Sequence, residues 1–243
     1  MTAGYGEAVT TEEMAAPRPR WLRIAGSFWF HLVLAFVVVG LVLSFVAKPY
    51  GVPSESMAQT LQPGDRIVVN RLAYIGTEPA TGDVVIFDAG PGWETPPPPN
   101  LDPLRATSRW LGEFTGFGPS GSHTLVKRVI GQPGETVACC TDDGLLTVDG
   151  MPLEGQYVEE DFAFTPVALD CDTTPASQRC FAPVTVPDDS YLVLGDNRAA
   201  SSDSAVHCRG EAPQTDCWRW MRRDEIVGKA VVIFWPIARW SSL

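Results

Sequence analysis

Two serines, Ser54 and Ser56, flank a single glutamate in the run Val52-Pro-Ser-Glu-Ser-Met-Ala-Gln-Thr-Leu61. A serine hydroxyl becomes a useful nucleophile only when a neighbouring base takes its proton. Histidine oriented by an aspartate is the usual base, but the chain has three histidines. His31 lies inside an apolar stretch, and neither His123 nor His207 sits in the setting of a histidine-dependent protease. Lysine is the alternative, provided it is neutral at working pH. That requires a reference pKa of about 10.4 to fall by roughly two units or more, a shift that burial in apolar surroundings supplies. Only three of the 18 basic residues are lysines. Lys48 borders the apolar stretch, where its stem can snorkel, and Lys229 follows Gly228 in a closing β-branched run. Lys127 lies in Leu125-Val-Lys-Arg-Val-Ile130, and the two-residue period of a strand puts it on one face with Leu125 and Val129. A lysine on such a face is poorly solvated and is a candidate base. A partly exposed edge-strand lysine that guards against aggregation fits the same spacing equally well.

The elements that must position these residues begin with an anchor. Ile24–Val46 is a 23-residue stretch with nothing more polar than Ser27, His31 and Ser44. As a helix it would extend about 34 Å, enough for a hydrocarbon core of about 30 Å. A cleavable signal peptide has an apolar region of about 7–15 residues, so a retained transmembrane anchor is the reading. Arg18, Arg20 and Arg23 precede the stretch and Lys48 alone follows it closely, which puts the N-terminus in the cytoplasm and everything after Lys48 outside. The expected division is a cytoplasmic segment 1–23, a single span 24–46 and an extracytoplasmic domain 47–243. Three acidic and three basic residues cancel in segment 1–23, so the net charge of −11 belongs wholly to the rest. Such a domain is not a nucleic-acid binder and has no electrostatic attraction to anionic lipid.

The outer part has the grammar of an all-β unit, with many short β-branched runs between Gly/Pro turns. Strands are expected at 66–71, 83–88, 123–130, 137–140, 145–148, 191–194 and 226–235. Thr141-Asp-Asp-Gly144 marks a hairpin, and 155–187 reads as irregular. Residues 89–123 depart from strand grammar, with a proline run at 96–99. Leu101 to Phe117 is either a short helix covering the core or an amphipathic element on the membrane face, seated by Trp110, Leu111 and Phe114. All six cysteines (139, 140, 171, 180, 208, 217) follow the anchor, where an oxidising compartment permits disulfides. No C-x-x-C pair points to metal, and His207 beside Cys208 is a thin cluster. The shortest loops between non-adjacent cysteines pair Cys171 with Cys180 and Cys208 with Cys217. Cys139 and Cys140 are then a vicinal pair or free thiols.

Together these motifs resemble the bacterial type I signal peptidases, membrane-anchored serine proteases. The serine run Val52–Leu61 looks like their nucleophile box, and Gly82-Asp-Val-Val-Ile-Phe87 like a core strand. Val126-Lys-Arg-Val-Ile-Gly-Gln-Pro-Gly-Glu135 looks like their lysine box, and Gly195-Asp-Asn-Arg-Ala-Ala-Ser-Ser-Asp-Ser204 like the third catalytic-core box. With the anchor and the final strand, the resemblance covers most of the chain in family order. It implies Ser56 as nucleophile and Lys127 as general base. Ser54 and the Ser56 N–H would form the oxyanion hole, and Ser201 would orient the lysine amine. Asp196 and Asp203 would shape the core. Val52, Met57, Leu61, Leu125, Val126 and Ser202 would line the pockets for an Ala-x-Ala-type cleavage site. The implied fold is an antiparallel β-sheet catalytic domain with an inserted smaller β lobe at about 137–188. No cofactor and no metal is implied. The partners would be signal peptides of exported preproteins, the lipid bilayer and a nearby secretion translocon, at the cytoplasmic membrane.

One departure concerns the third box, which in the family often carries an asparagine before Ser201 and an arginine after Ser204. Here those places hold Ala200 and Ala205, so the usual pairing of Asp203 with arginine is absent or made by another residue such as Arg198. Two rivals share the pattern. A self-cleaving repressor-type protease on the same Ser/Lys scaffold would need no anchor. A tethered β-domain that has lost catalysis would not need Ser56, Lys127 and Ser201 together.

Overall fold

An apolar stretch pairs its backbone groups within itself when it forms a helix, and Phe28–Leu41 does so as α1, with no residue buried. The computed structural model describes residues 27–90, 92–93, 124–153, 157–158, 161–210 and 216–243. Trp110, Leu111, Phe114, His123 and the N-terminal arginines lie outside the described residues. The helical run Phe28–Val46, 19 residues, is long and apolar enough to cross a membrane. The chain divides into two compact units, one ending at Leu41 and one from Val42 to Leu243.

The second unit is mainly antiparallel β. Its larger sheet contains β1 (Ala47–Gly51), β2 (Arg66–Asn70), β3 (Val84–Asp88), β4 (Thr124–Gly131), β9 (Ser190–Leu194), β10 (Met221–Arg222), β11 (Ile226–Trp235) and β12 (Ser241–Ser242). The order is β1-β2-β11-β3-β4-β9-β10, with β12 against β11. A smaller sheet contains β5 (Thr136–Cys139), β6 (Leu146–Val148), β7 (Met151–Pro152) and β8 (Phe181–Thr185), in the order β7-β6-β5-β8.

Local composition explains the placements. In β2, Ile67 and Val69 are fully buried and alternate with half-buried Arg66, Val68 and Asn70, the period-two pattern of a strand covered on one face. In β3 and β9 consecutive residues are buried, because both faces are covered. β1 and β8 each carry a proline, Pro49 and Pro183, and each lies at the end of its sheet's strand order. An edge tolerates the missing N–H. The same proline hides β8 within a stretch that reads as irregular from sequence. Gly228 in β11 passes so close to β2 that a side chain there would meet the Asn70 carbonyl at 2.4 Å.

Two short loops are closed covalently. Cys171–Cys180 and Cys208–Cys217 are disulfides with S–S distances of 2.05 and 2.09 Å, and Cys139 is joined to Cys140. The thiol cluster formed by Cys140, Cys171 and Cys180 is thus engaged in disulfides.

Candidate active site

The serine run is a loop pinned at both ends before any chemistry is considered. Val52 N donates to Asp65 O and Gly64 N to Val52 O, each at 2.9 Å, so the loop closes on itself. Asp65, 1% exposed, accepts from Gln62 N and from Arg239 Nε. Within the loop Leu61 N donates to Met57 O at 2.7 Å, a single helical turn. That turn drives Met57 and Leu61 into the core, at 1% and 0% exposure. Ser56, one residue before Met57, is held at the surface of this packing and is 8% exposed. Ser54 is exposed, and its Oγ lies 3.3 Å from Ser56 Oγ.

Strand β4 brings the amine. Lys127 pairs in register with Val85 of β3, and its Nζ lies 2.8 Å from Ser56 Oγ. The lysine is 3% exposed. The other two lysines are placed differently. Lys48 lies over the Tyr50 ring at 5.2 Å, and Lys229 is ion-paired with Asp83. Asp83 also accepts from the Tyr74 hydroxyl. Burial foremost, and then the Asp83 charge, push that phenol well above the ordinary tyrosine range. His207 meets Arg219 and makes no bond to Ser56.

A third segment, 195–205, clamps the first two together. Asn197 N donates to Ser56 O at 3.1 Å. A side chain at Gly195 would meet Ser201 Oγ at 2.3 Å and Ser56 O at 2.4 Å, so only glycine lets the segment approach the serine loop this closely. Arg128, next to Lys127, grips Asp196 with two parallel bonds, Nε to Oδ1 at 2.8 Å and Nη2 to Oδ2 at 2.6 Å. Thr60 donates to Asp196 Oδ2 and accepts from Arg128 Nη2. One buried triangle thereby ties the serine loop, the lysine strand and the third segment. Thr60 escaped the sequence reading. Its only signal there is a hydroxyl one helical turn after Ser56.

Asp203 has no exposed surface, and its carboxylate accepts from Gly195 N, Ala205 N and the Arg209 guanidinium, the last at 3.1 Å to both oxygens. The arginine partner of Asp203 is therefore Arg209 and not Arg198. The Ser201 hydroxyl is buried and has no hydrogen-bond partner among the described residues. Of the six expected pocket residues, Val52, Met57, Leu61 and Val126 share one apolar cluster. Leu125 packs in a different cluster, with Val85, Phe87 and Val129. Ser202 Oγ accepts from Arg219 Nη1 at 2.8 Å.

The arrangement of a buried amine on a serine hydroxyl, with a second hydroxyl at 3.3 Å, is suited to nucleophilic attack on a carbonyl. Known proteins resemble the chain as a whole in sequence. The family model described as signal peptidase, peptidase S26, matches residues 26–235. A probable signal peptidase I of Mycobacterium leprae is 37% identical over 241 residues, covering 89% of this chain and 79% of that one. Signal peptidase I of Mycobacterium tuberculosis is 36% identical over 251 residues, covering 98% of this chain and 81% of that one. A crystal structure of a signal peptidase I from Enterococcus faecalis is 21% identical, spans 63% of this chain and 97% of its own, and has a TM-score of 0.33.

Proposed function

The chain belongs to the signal peptidase family, peptidase S26, and on that premise we propose that it is a serine endopeptidase acting on exported preproteins. It removes their N-terminal signal peptides after Ala-x-Ala-like sites with Ser56 and Lys127 as its dyad. The observation that carries this reading is the 2.8 Å contact between Lys127 Nζ and Ser56 Oγ, with the lysine 3% exposed. An amine so buried is held neutral more cheaply than charged. The neutral amine takes the Ser56 proton as Oγ bonds to the scissile carbonyl carbon, and negative charge moves to the carbonyl oxygen. The Ser56 N–H and the Ser54 hydroxyl donate to that oxygen, each donor contributing about 3–4 kcal/mol. Collapse of the tetrahedral intermediate breaks the C–N bond, and the leaving amine receives the proton from Lys127. Water, deprotonated by the same amine, then attacks the acyl carbon, the C–Oγ bond breaks, and Lys127 returns the proton to Ser56 Oγ.

The Ser201 hydroxyl, buried without a partner, is available to hold the amine toward Ser56. We assign the small-residue pockets to Val52, Met57, Leu61, Leu125, Val126 and Ser202, of which Val52, Met57, Leu61 and Val126 form one apolar cluster that backs the serine loop. An extended substrate would add to the sheet as a strand. We read 1–23 as cytoplasmic, 24–46 as the single span and 47–243 as the extracytoplasmic domain, with the four-stranded sheet as an inserted lobe. Trp235, Ile237 and Trp240, between 50% and 69% exposed, give that domain an apolar surface suited to a bilayer, where a secretion translocon would deliver the signal peptide.

The test is cleavage of a preprotein with an Ala-x-Ala site by the full chain in detergent. Ser56→Ala and Lys127→Ala should each abolish it while leaving the protein folded. Full activity in either variant would sink the dyad. A pH limb near about 6.5 that moves when His207 is replaced would assign the base to histidine instead.

A further inference from the structure

A second concave site, separate from Ser56 and Lys127, lies between β4, the third segment and the smaller sheet, with a volume of ≈ 360 Å³. Its apolar wall is made by Ile130, Leu145, Leu146 and Phe181. Its polar wall carries four guanidiniums, and three of them have carboxylate partners. Arg128 holds Asp196, Arg209 holds Asp203, and Arg179 lies 3.3 Å from Asp161. The fourth, Arg198, is 7% exposed. It has no ion-pair partner among the described residues, and its Nε has no hydrogen bond.

The imbalance has a definite sign. Among the described residues, four arginines meet three carboxylates, each of the three already gripped by a different arginine, so one positive charge is left over. Burial, partly offset by the Asp203 charge, lowers the Arg198 guanidinium to about 10, which keeps it charged at neutral pH. A buried cation without a partner is costly unless an anion meets it. The planar fork of a guanidinium matches a carboxylate with two parallel bonds. The surplus is one charge, and the opposite wall is hydrocarbon. A doubly charged inorganic anion fits neither feature.

We propose that this cavity binds a small amphiphilic carboxylate, its head on Arg198 and its tail against Ile130, Leu145, Leu146 and Phe181. At about 30 Å³ for each heavy atom the space suits on the order of a dozen atoms, the size of a fatty acid of six to ten carbons. Shape and charge together specify the class: one negative charge at one end and a short hydrocarbon at the other.

The experiment is titration of the full chain, in non-ionic detergent, with hexanoate, hexan-1-ol and inorganic phosphate, read by calorimetry and by the melting temperature. Each titration is corrected for transfer of the probe into protein-free micelles. Hexanoate should bind saturably and raise the melting temperature as its concentration passes the Kd. Hexan-1-ol, with the tail and no charge, and phosphate, with charge and no tail, should each bind at least tenfold more weakly. Arg198→Met should lose hexanoate binding at least tenfold. Without ligand it should melt no lower than wild type, since it removes an uncompensated buried charge. Arg198→Lys keeps the charge without the fork and should bind several-fold more weakly than wild type. Absence of saturable hexanoate binding in the wild type overturns the proposal, as does equal binding by Arg198→Met. Equal or tighter binding of hexan-1-ol or of phosphate overturns it too. If Arg198→Met does not fold, unchanged affinity in Arg198→Lys has the same force.

Discussion

The serine–lysine region and the smaller cysteine-bearing sheet are stabilised in opposite ways. Around Ser56 the decisive contacts join residues far apart in sequence: Ser56 to Lys127 over 71 positions, Arg128 to Asp196 over 68 and Arg239 to Asp65 over 174. The smaller sheet also pairs distant strands, Thr136 with Thr185, but the loop that leads into β8 is tied locally. Cys171 and Cys180 are nine residues apart, and the loop they close is organised by Asp170, which accepts from the N–H groups of Val167, Asp172 and Thr173. The first region fixes three chain segments with a buried polar network, where every partner must be present for any to be satisfied. The second keeps its shape with short closures that act mainly on the unfolded chain. Precision at the proposed dyad therefore depends on global folding, whereas order in the smaller sheet depends on covalent and capping chemistry near at hand.

Substitutions can sharpen or break that contrast. The largest effect is expected at the amine. Lys127→Arg should abolish preprotein cleavage, because a guanidinium stays protonated at any usable pH and cannot serve as base. The parallel swap Arg179→Lys in the smaller region should leave the cleavage rate within about threefold of wild type, since its bonds go to the Phe162 and Gly144 carbonyls and to neither Ser56 nor Lys127. Cleavage by the Lys127→Arg protein would remove the distinction altogether.

Next comes the polar triangle. Arg128→Met strands the Asp196 carboxylate in the interior and should cost about 3–5 kcal/mol in denaturant unfolding, as expected when one partner of a buried pair is removed. Adding Asp196→Leu should recover much of that loss in stability without restoring the cleavage rate. A single variant as stable as wild type would show that the network does not hold the three segments together.

Breaking the Cys171–Cys180 loop with paired alanines should cost about 2.5 kcal/mol for a closure of this length, while preprotein cleavage stays within about twofold of wild type. Loss of cleavage at unchanged stability would place this sheet in the catalytic apparatus. The smallest effect belongs to Asp170. The backbone N–H of Asp172, then that of Val167, hold its carboxylate below the usual 3.8. A carboxylate whose folded pKa is lowered adds stability above its ordinary value and loses it as pH falls through the folded value. The melting temperature of Asp170→Ala should therefore lie slightly below that of wild type at pH 7, and the two should converge as the solution is acidified below about pH 3.8. A gap that persists in acid would mean that the loop is held by something other than this charge.

Much of the large sheet is legible in sequence because its strands carry their own signals. Ile226–Trp235 forms β11 over the whole of the β-branched run, and the Gly-Asp turns precede β2 and β3 as their polar-to-apolar switches require. Edge elements are less legible. Pro49 and Pro183 argue against strand in isolation, and only a neighbour offering bonds on one side makes β1 and β8 strands. The pairing of Cys171 with Cys180 and of Cys208 with Cys217 follows loop length, since short closures cost the chain least entropy. The partner of Asp203 did not follow from order along the chain. Arg198 is five residues before it and Arg209 six residues after, and Arg209 is the one whose guanidinium reaches both carboxylate oxygens.

The sequence alone determined the candidate groups for the chemistry, the apolar helix, much of the antiparallel strand grammar and the family, because residue type, hydropathy and motif order are local properties of a chain. Tertiary structure alone decided that Lys127 reaches Ser56 rather than guarding an edge, that Thr60 joins Arg128 and Asp196 in one triangle, and that Arg198 ends as a buried cation without a carboxylate of its own among the described residues. Each of these depends on which distant segments exclude water together. Burial and partner supply are set by the packed whole, and no window of sequence contains them.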